Sequence, residues 1–395
     1  MPSNPKFYRY FEKAPLVVAF AWMGFAGNAQ AESIVVDRTD DLPAVNPAID
    51  AQVAGGGITL RSALQRLNQD TNTDDDEIVL SASSVYTLNY GAGVLDNTSY
   101  QGDLDWNRDQ SYGNLTIRTD VAGTRAFIDA TGLNDRVLHV LVNPTNGTTY
   151  GNLTLRDLEI YGGFADDDGS SFPSEARGGG VYYQYGGLIT LDNALIRNNT
   201  AQGQDGVNGN DASTVFIPST TSSNSTTLFF SATNGSSGYG AAGGGIYIGG
   251  GTGYGGLVLI NGSGVDRNTA RAGRGGNGGN TAGFGGSPGF GGSGESAFGG
   301  GVFILNGSQG VTITESNINL NGAYGGDGGS GGDAAQQYGD LEFGHRRRVW
   351  RQRHFLGQFG CGRRRRAGHR FGHLQRRQLH RGREYRRICP GYRRR

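Results

Sequence analysis

One histidine lies between residues 32 and 340. It is His139, in the run Arg136-Val137-Leu138-His139-Val140-Leu141-Val142. Imidazole is the side chain best suited to proton transfer or metal ligation near neutral pH. A lone histidine set among alternating apolar residues reads as structural, and no spacing supplies the partners of a Ser-His-Asp arrangement. Acidic runs are the other chemical candidates: Asp74-Asp75-Asp76, Asp166-Asp167-Asp168, and Asp103, Asp105 and Asp109 around Trp106. Calcium needs several oxygen ligands at defined positions, and none of these runs follows the Asp-x-Asp-x-Asp-Gly loop with its distal glutamate. The stretch GGDGGSGGD, residues 325–333, resembles calcium-binding glycine nonapeptides but lacks their apolar position and tandem period. The acidic runs are therefore expected to be solvated turns. Glycan cleavage would need paired carboxylates, or a base beside a cation cluster. No such set converges in the sequence, and lysine is absent after residue 31. No catalytic, cofactor-binding or metal-binding residue is assigned, and no cofactor is expected.

Charge divides the chain in two. Residues 1–340 carry 16 Lys+Arg against 33 Asp+Glu, whereas residues 341–395 carry 19 Arg against Glu342 and Glu384. The formal charges of −17 and +17 cancel to the net zero of the whole. Both cysteines, Cys361 and Cys389, and five of the six histidines also fall after residue 340. The long acidic part has no cysteine, which excludes a disulfide framework or thiolate metal site there.

The first residues read as an export address. Lys6, Arg9 and Lys13 precede the apolar run APLVVAFAWMGFAG, 14–27, and Ala29-Gln30-Ala31 forms a small-residue cleavage box. This order is that of a secretory signal peptide cut after Ala31. No later run reaches the roughly 18 apolar residues of a membrane-spanning helix.

These features rest on a strand-rich body. Asn114-Leu115-Thr116-Ile117-Arg118 and Asn152-Leu153-Thr154-Leu155-Arg156 alternate apolar and polar residues, the period of a half-buried strand. One helix is predicted in TLRSALQRLNQ, with Leu60, Ala63, Leu64 and Leu67 on one face and Thr59 as its N-cap. A longer unit then recurs three times: GGGVYYQYGGLITLDNALIRNNTA at 178–201, GGGIYIGGGTGYGGLVLINGSGVDRNTA at 243–270, and GGGVFILNGSQGVTITESNINLNGA at 299–323. Each holds a triple glycine, a short strand, a turn, an alternating strand and an Asn-rich corner. Self-similarity of this kind means stacked repeats, and strand-only units can stack as coils of a parallel β-helix. Glycine and asparagine suit its corners because they tolerate positive φ. A β-sandwich is the competing reading, with Asn261-Gly262 and Asn306-Gly307 as hairpin turns. The glycine-rich stretches 202–240 and 271–298 are too long for corners. They read as loops extruded from one face of the solenoid.

The hexamer Ile58-Thr59-Leu60-Arg61-Ser62-Ala63, with the strands that flank it over residues 33–163, resembles the start of bacterial secreted proteins named for a CSLREA motif. Leu, Arg and Ala match, Thr stands for Ser, and the Cys and Glu are absent. The later GGG-strand-corner units are similar to repeats of polymorphic outer-membrane proteins, autotransporter-like passengers. The resemblance implies a right-handed parallel β-helix at the cell surface, with the helix capping its first coil. The expected fold class is thus all-β: a signal peptide at 1–31, a β-helix at 32–340 with an N-terminal cap at about 32–75, and a disordered basic tail at 341–395.

The tail itself has two readings. Shifted by one base, and with its arginines on CGN codons, HLQRRQLHRGREYRR at 373–387 decodes to small, acidic and Asn/Thr residues and ends in an Asn-Thr-Ala-like corner. On that reading the tail is a further repeat translated in the wrong frame. Alternatively it is an arginine-rich arm that binds nucleic-acid phosphates, with Phe355, Phe359, Phe371 and Tyr385 available to stack on bases. The functional expectation is an exported, secreted or outer-membrane, adhesin-like module that binds host or neighbour-cell surface molecules or glycans. No membrane anchor is read in this chain, and no specific nucleic acid is expected. The alternatives are a polysaccharide lyase or hydrolase on a β-helix scaffold, and nucleic-acid binding by the tail.

Overall fold

A computed structural model describes residues 31–334, apart from 71–73, 95, 108–112, 142–150, 170–173, 186, 213, 218–225, 230, 251–254, 282–285 and 306–309. The chain separates into two units, Met1–Phe343 and Gly344–Arg395, and every described residue belongs to the first. The signal peptide expected at 1–31 falls, but for residue 31, outside the described residues, as does the basic stretch 341–395.

The chain winds as a parallel β-helix with three faces. The first face stacks Ser33–Val35, Asp76–Leu80, Leu115–Thr119, Leu153–Arg156, Leu188–Asp192, Gly256–Ile260 and Gly310–Ile313 in that order. A second face runs from Val85–Thr87 to Asn317–Asn319, and a third from Leu104–Trp106 to Val302–Ile304. Pairing on all three is parallel, each strand bonding to its copy one coil away. Register locks like on like: Ile78, Ile117, Leu155, Leu191 and Leu259 form one continuous row. Each is almost fully buried. The period of two leaves no choice here, because a slip by one residue would turn every aliphatic side chain outward. Asn261-Gly262 is a corner between parallel strands, with φ of 55° and 77°. It is not a hairpin turn, which removes the sandwich alternative. Asn306-Gly307 lies outside the described residues.

The helix forms where expected, as Leu60–Asn68. Thr59 caps it by accepting from the Ser62 N–H at 3.0 Å, while Ser62 Oγ accepts from the Thr59 N–H at 2.9 Å. Leu60, Ala63, Leu64 and Leu67 are buried against Asp76–Leu80 and Leu104–Trp106, in the same apolar cluster as the coil interior. That position covers the end of the stack, where open strand edges would otherwise invite further pairing.

From the coil that begins with Leu153–Arg156 onward, each coil makes a lateral excursion. A fourth sheet (Phe164–Ala165, Thr200–Gln202, Thr269–Arg271, Gly322–Tyr324) leads out, and a fifth (Ala176–Arg177, Ala241–Ala242, Ala297–Phe298) leads back. Ala176, Ala201, Ala241 and Ala270 fill the narrow space between them. The return passes through the triple glycine, whose first member takes a left-handed conformation at Gly178, Gly243 and Gly299, with φ of 62°, 63° and 52°.

Beyond these sheets the glycine-rich insertions are not loose loops. Five extended segments, at 203–212, 231–240, 272–281, 286–296 and 325–334, hydrogen-bond to one another at every third residue. Gly203, Gly206 and Gly209 donate to the carbonyls of Arg271, Arg274 and Asn277 at 2.8, 2.7 and 2.7 Å. On the other side, Gly273, Gly276 and Gly279 donate to Tyr239, Ser236 and Thr233 at 2.8, 2.9 and 3.0 Å. Three residues per turn with all bonding between segments is the habit of polyproline-II helices. These five segments are therefore a bundle of such helices, held by backbone bonds, while Thr214–Ile217 and Thr226–Phe229 pair as antiparallel strands. A Cβ on Gly276 would overlap the Val207 carbonyl, so the glycines permit the close approach. The segment GGDGGSGGD belongs to this bundle, with Asp327 and Asp333 exposed.

The coil after Val302–Ile304 is the last one described. Val311 and Ile313 continue the inner rows of Leu257 and Leu259 but are 53% and 46% exposed.

Candidate functional site

Strand alternation on the third face points Leu104 and Trp106 inward and Asp105 outward; Leu138 and Val140 inward and His139 outward; Val181 and Tyr183 inward and Tyr182 outward. Parallel register then places Asp105, His139, Tyr182, Tyr247 and Phe303 in one outer row. His139 stacks on Tyr182 with centroids 4.7 Å apart and rings 8° from parallel. This outer row is nevertheless buried at its start, because loops fold over it. Ser99 and Asp105 exchange hydrogen bonds, Ser99 N–H to Asp105 Oδ2 at 2.9 Å and Asp105 N–H to Ser99 Oγ at 3.0 Å. From the other side Gly169 presses on the imidazole, so closely that a Cβ there would sit 2.5 Å from His139 Cε1.

Carboxylates crowd around one cation. Arg136 donates to Asp103 Oδ2 at 3.1 Å and to Asp167 Oδ1 at 2.5 Å, and its backbone N–H donates to Asp135 Oδ1 at 2.7 Å. Asp103, Asp105, Asp135, Asp167 and Arg136 are all buried. Of these four carboxylates only Asp103 and Asp167 accept from the guanidinium, and burial works against ionisation of the surplus. Burial, and then the neighbouring carboxylates Asp105 and Asp135, hold Asp103 well above the usual carboxylate range. Burial likewise raises Asp105 well above its ordinary value. Asp135 is pushed up to about 6 by burial, against the pull of Arg136. Burial and the charge of Arg136 hold His139 in its neutral form, well below its ordinary range.

The neutral imidazole has a defined orientation. Nε2 lies 3.2 Å from Gln184 Oε1 and donates to it, which leaves a lone pair on Nδ1. That nitrogen is 3.4 Å from Asp105 Oδ1 and 4.0 Å from Asp103 Oδ2. Neither His139 Nδ1 nor Asp105 Oδ1 has a hydrogen-bond partner, although both are buried. The donor atoms of Asp103, Asp105 and His139 all lie within 4.8 Å of one another.

The expectation of solvated acidic turns therefore fails at Asp103, Asp105 and Asp167, which are 1%, 0% and 2% exposed. His139 is buried, and it sits among carboxylates that no spacing in the sequence brought to it. Asp76 lies in a first-face strand, where Oδ1 accepts from the Glu32 N–H at 3.2 Å; Asp109 lies outside the described residues. The legible signal was the odd-position polar residue in LDW and LHV, each breaking an apolar strand. What links them is a register across 34 residues.

A second surface lies on the outer side of the second face. An open groove of about 630 Å³ is lined by Glu159, Leu195, Arg197, Asp266 and Asn317, among others. It exists where Gly264 supplies no side chain between Leu195 and Asn317. Its carboxylates are both engaged, Glu159 by Arg197 and Asp266 by Arg267, the latter at 3.1 Å. Compared with models of protein families, with curated proteins and with solved structures, the chain finds no match.

Proposed function

We propose that this chain is an exported cell-surface or extracellular β-helix that binds or scaffolds rather than catalyses, as its resemblance to CSLREA-motif proteins implies. The observation that carries this reading is the glycine bundle. A protein that spends five segments on backbone packing gains a stiff, water-facing surface. Its outward positions repeat as Asp205, Asn208 and Asp211 on one segment and Arg274, Asn277 and Asn280 on the next, each row exposed. Along a segment these side chains recur about every 9 Å, at about 3.1 Å per residue; neighbouring coils stand about 4.8 Å apart. Asp205, Asn208 and Asp211 each spend one side-chain oxygen on the N–H of Arg274, Asn277 and Asn280, and the polar atoms left over are matched to a polymer with repeating hydroxyl groups. The partner class is accordingly a surface glycan, and the leader at 1–31 supplies the export that this role needs.

The test is retention of the purified chain on immobilised acidic and neutral polysaccharides, with assays for new reducing ends and unsaturated products on the same polymers. Binding without turnover is expected. Turnover would overturn the reading in favour of a lyase or hydrolase, for which the groove beside Glu159 and Asp266 is the place to look. A third role, nucleic-acid binding by residues 341–395, predicts that DNA and RNA binding disappears when those residues are deleted.

A further inference from the structure

The Asp103, Asp105 and His139 cluster takes no part in the surface proposed above, yet it holds two buried atoms with nothing to bond. With Nε2 donating to Gln184, His139 Nδ1 presents a lone pair. Asp105 Oδ1 opposite, 3.4 Å away, is likewise without a partner. With Asp105 ionised the two atoms face each other as acceptors in a dry interior, and a cation between them removes both their repulsion and their unmet valences. We infer that Asp103, Asp105 and His139 form a structural site for one divalent transition-metal cation of the zinc, cobalt or manganese class.

The geometry agrees in three ways. Two donors at about 2.0–2.1 Å on a tetrahedral zinc stand about 3.4 Å apart, and the Nδ1 to Oδ1 separation is 3.4 Å. The donor set of one imidazole and two carboxylates suits zinc, cobalt or manganese, whereas calcium prefers oxygen alone. The outer contacts are those a metal site needs. Gln184 orients the imidazole, the Ser99 N–H fixes Asp105 Oδ2, and Arg136 fixes Asp103. A dication would also balance the surplus of carboxylates over Arg136. By joining the strand Leu104–Trp106 to Leu138–Val140 on their outer side, the ion would fasten the first coils beneath the loop that carries Ser99.

The test uses the full chain with the cysteines and histidines of residues 341–395 replaced by serine and asparagine, so that the tail offers no thiol or imidazole ligand. After chelation and dialysis, zinc or cobalt(II) is titrated by calorimetry and followed by thermal unfolding. One equivalent bound, a melting temperature raised by several degrees, and cobalt d–d bands are expected. Asp105→Asn and His139→Gln should each weaken binding at least tenfold and abolish the thermal shift. Absence of binding in the parent chain, or an equal response to calcium, overturns the site; the first result would mean that a proton alone bridges Asp105 and His139. Because the parent chain is itself decisive, a variant that fails to fold does not obscure the outcome.

Discussion

Asn199 and Asn268 stand one above the other at the same corner of successive coils, Asn199 Nδ2 donating to Asn268 Oδ1 at 3.1 Å. Both are fully buried. Asn268 Nδ2 also donates to the Ile196 carbonyl at 2.9 Å, and Asn321 repeats the arrangement against Val265 at 2.8 Å. The ladder completes backbone groups that the corner would otherwise leave unbonded inside the molecule. Asn268→Leu keeps volume but strands those groups, and should cost about 1–3 kcal/mol. Chemical denaturation measures it; a change within 0.5 kcal/mol would mean that water replaces the amide.

Arg61 supplies a second prediction. Its guanidinium is buried, paired with Asp41 through Nε at 2.6 Å, and donates to the carbonyls of Ser99, Gly102 and Asp103 at 3.1, 2.6 and 3.0 Å. It therefore ties the capping helix to the loop above the carboxylate cluster. Arg61→Met leaves Asp41 buried without its partner and should cost about 3–5 kcal/mol. The double variant with Asp41→Asn should recover part of that loss in a double-mutant cycle.

Gly276 lies inside the bundle, donating to the Ser236 carbonyl and accepting from Gly292. A Cβ there meets the Val207 carbonyl, and no rotamer change relieves a backbone clash. Gly276→Ala should open the bundle to limited proteolysis within 203–240 and 271–298. The aliphatic rows should persist, with little change in the cooperative unfolding of the coil. Loss of the whole β-sheet signal would show instead that coil and bundle fold as one.

Glu77 gives a pH dependence. Its hydrogen bonds with Arg118, and then with Ser33, hold the carboxyl below its ordinary value of 4.5. A depressed folded-state value means stability present above pH 4.5 and lost as the pH falls through the folded value. Both side chains are about 30% exposed, so solvent limits the effect to below about 1 kcal/mol. Glu77→Gln should remove that part of the acid limb and leave stability near pH 7 lower by a similar amount. An unchanged acid titration of stability would contradict the pair's role.

Some of this was readable from the chain alone. The capping helix was legible because Thr59 and the four apolar positions are local signals. The coil was legible because the GGG-strand-corner unit recurs and its strands alternate. At the corner, sequence reasoning found the residue but not its reason. Asn198 takes the left-handed conformation at φ 53°, but in the next two coils Arg267 and Leu320 do so, at 54° and 53°. The asparagine one position later is kept for its side-chain ladder.

Residue order determined which side chains face inward, since a period of two is fixed by backbone geometry within a single strand. It also determined where glycine permits close approach, one position in every three. Only the stacking of coils decided that Asp105 meets His139, that the glycine segments bond to one another, and that Asp103, Asp105 and Asp167, read as solvated, are buried. Those contacts join residues tens of positions apart, and their partners are chosen by register between coils, which no local pattern encodes.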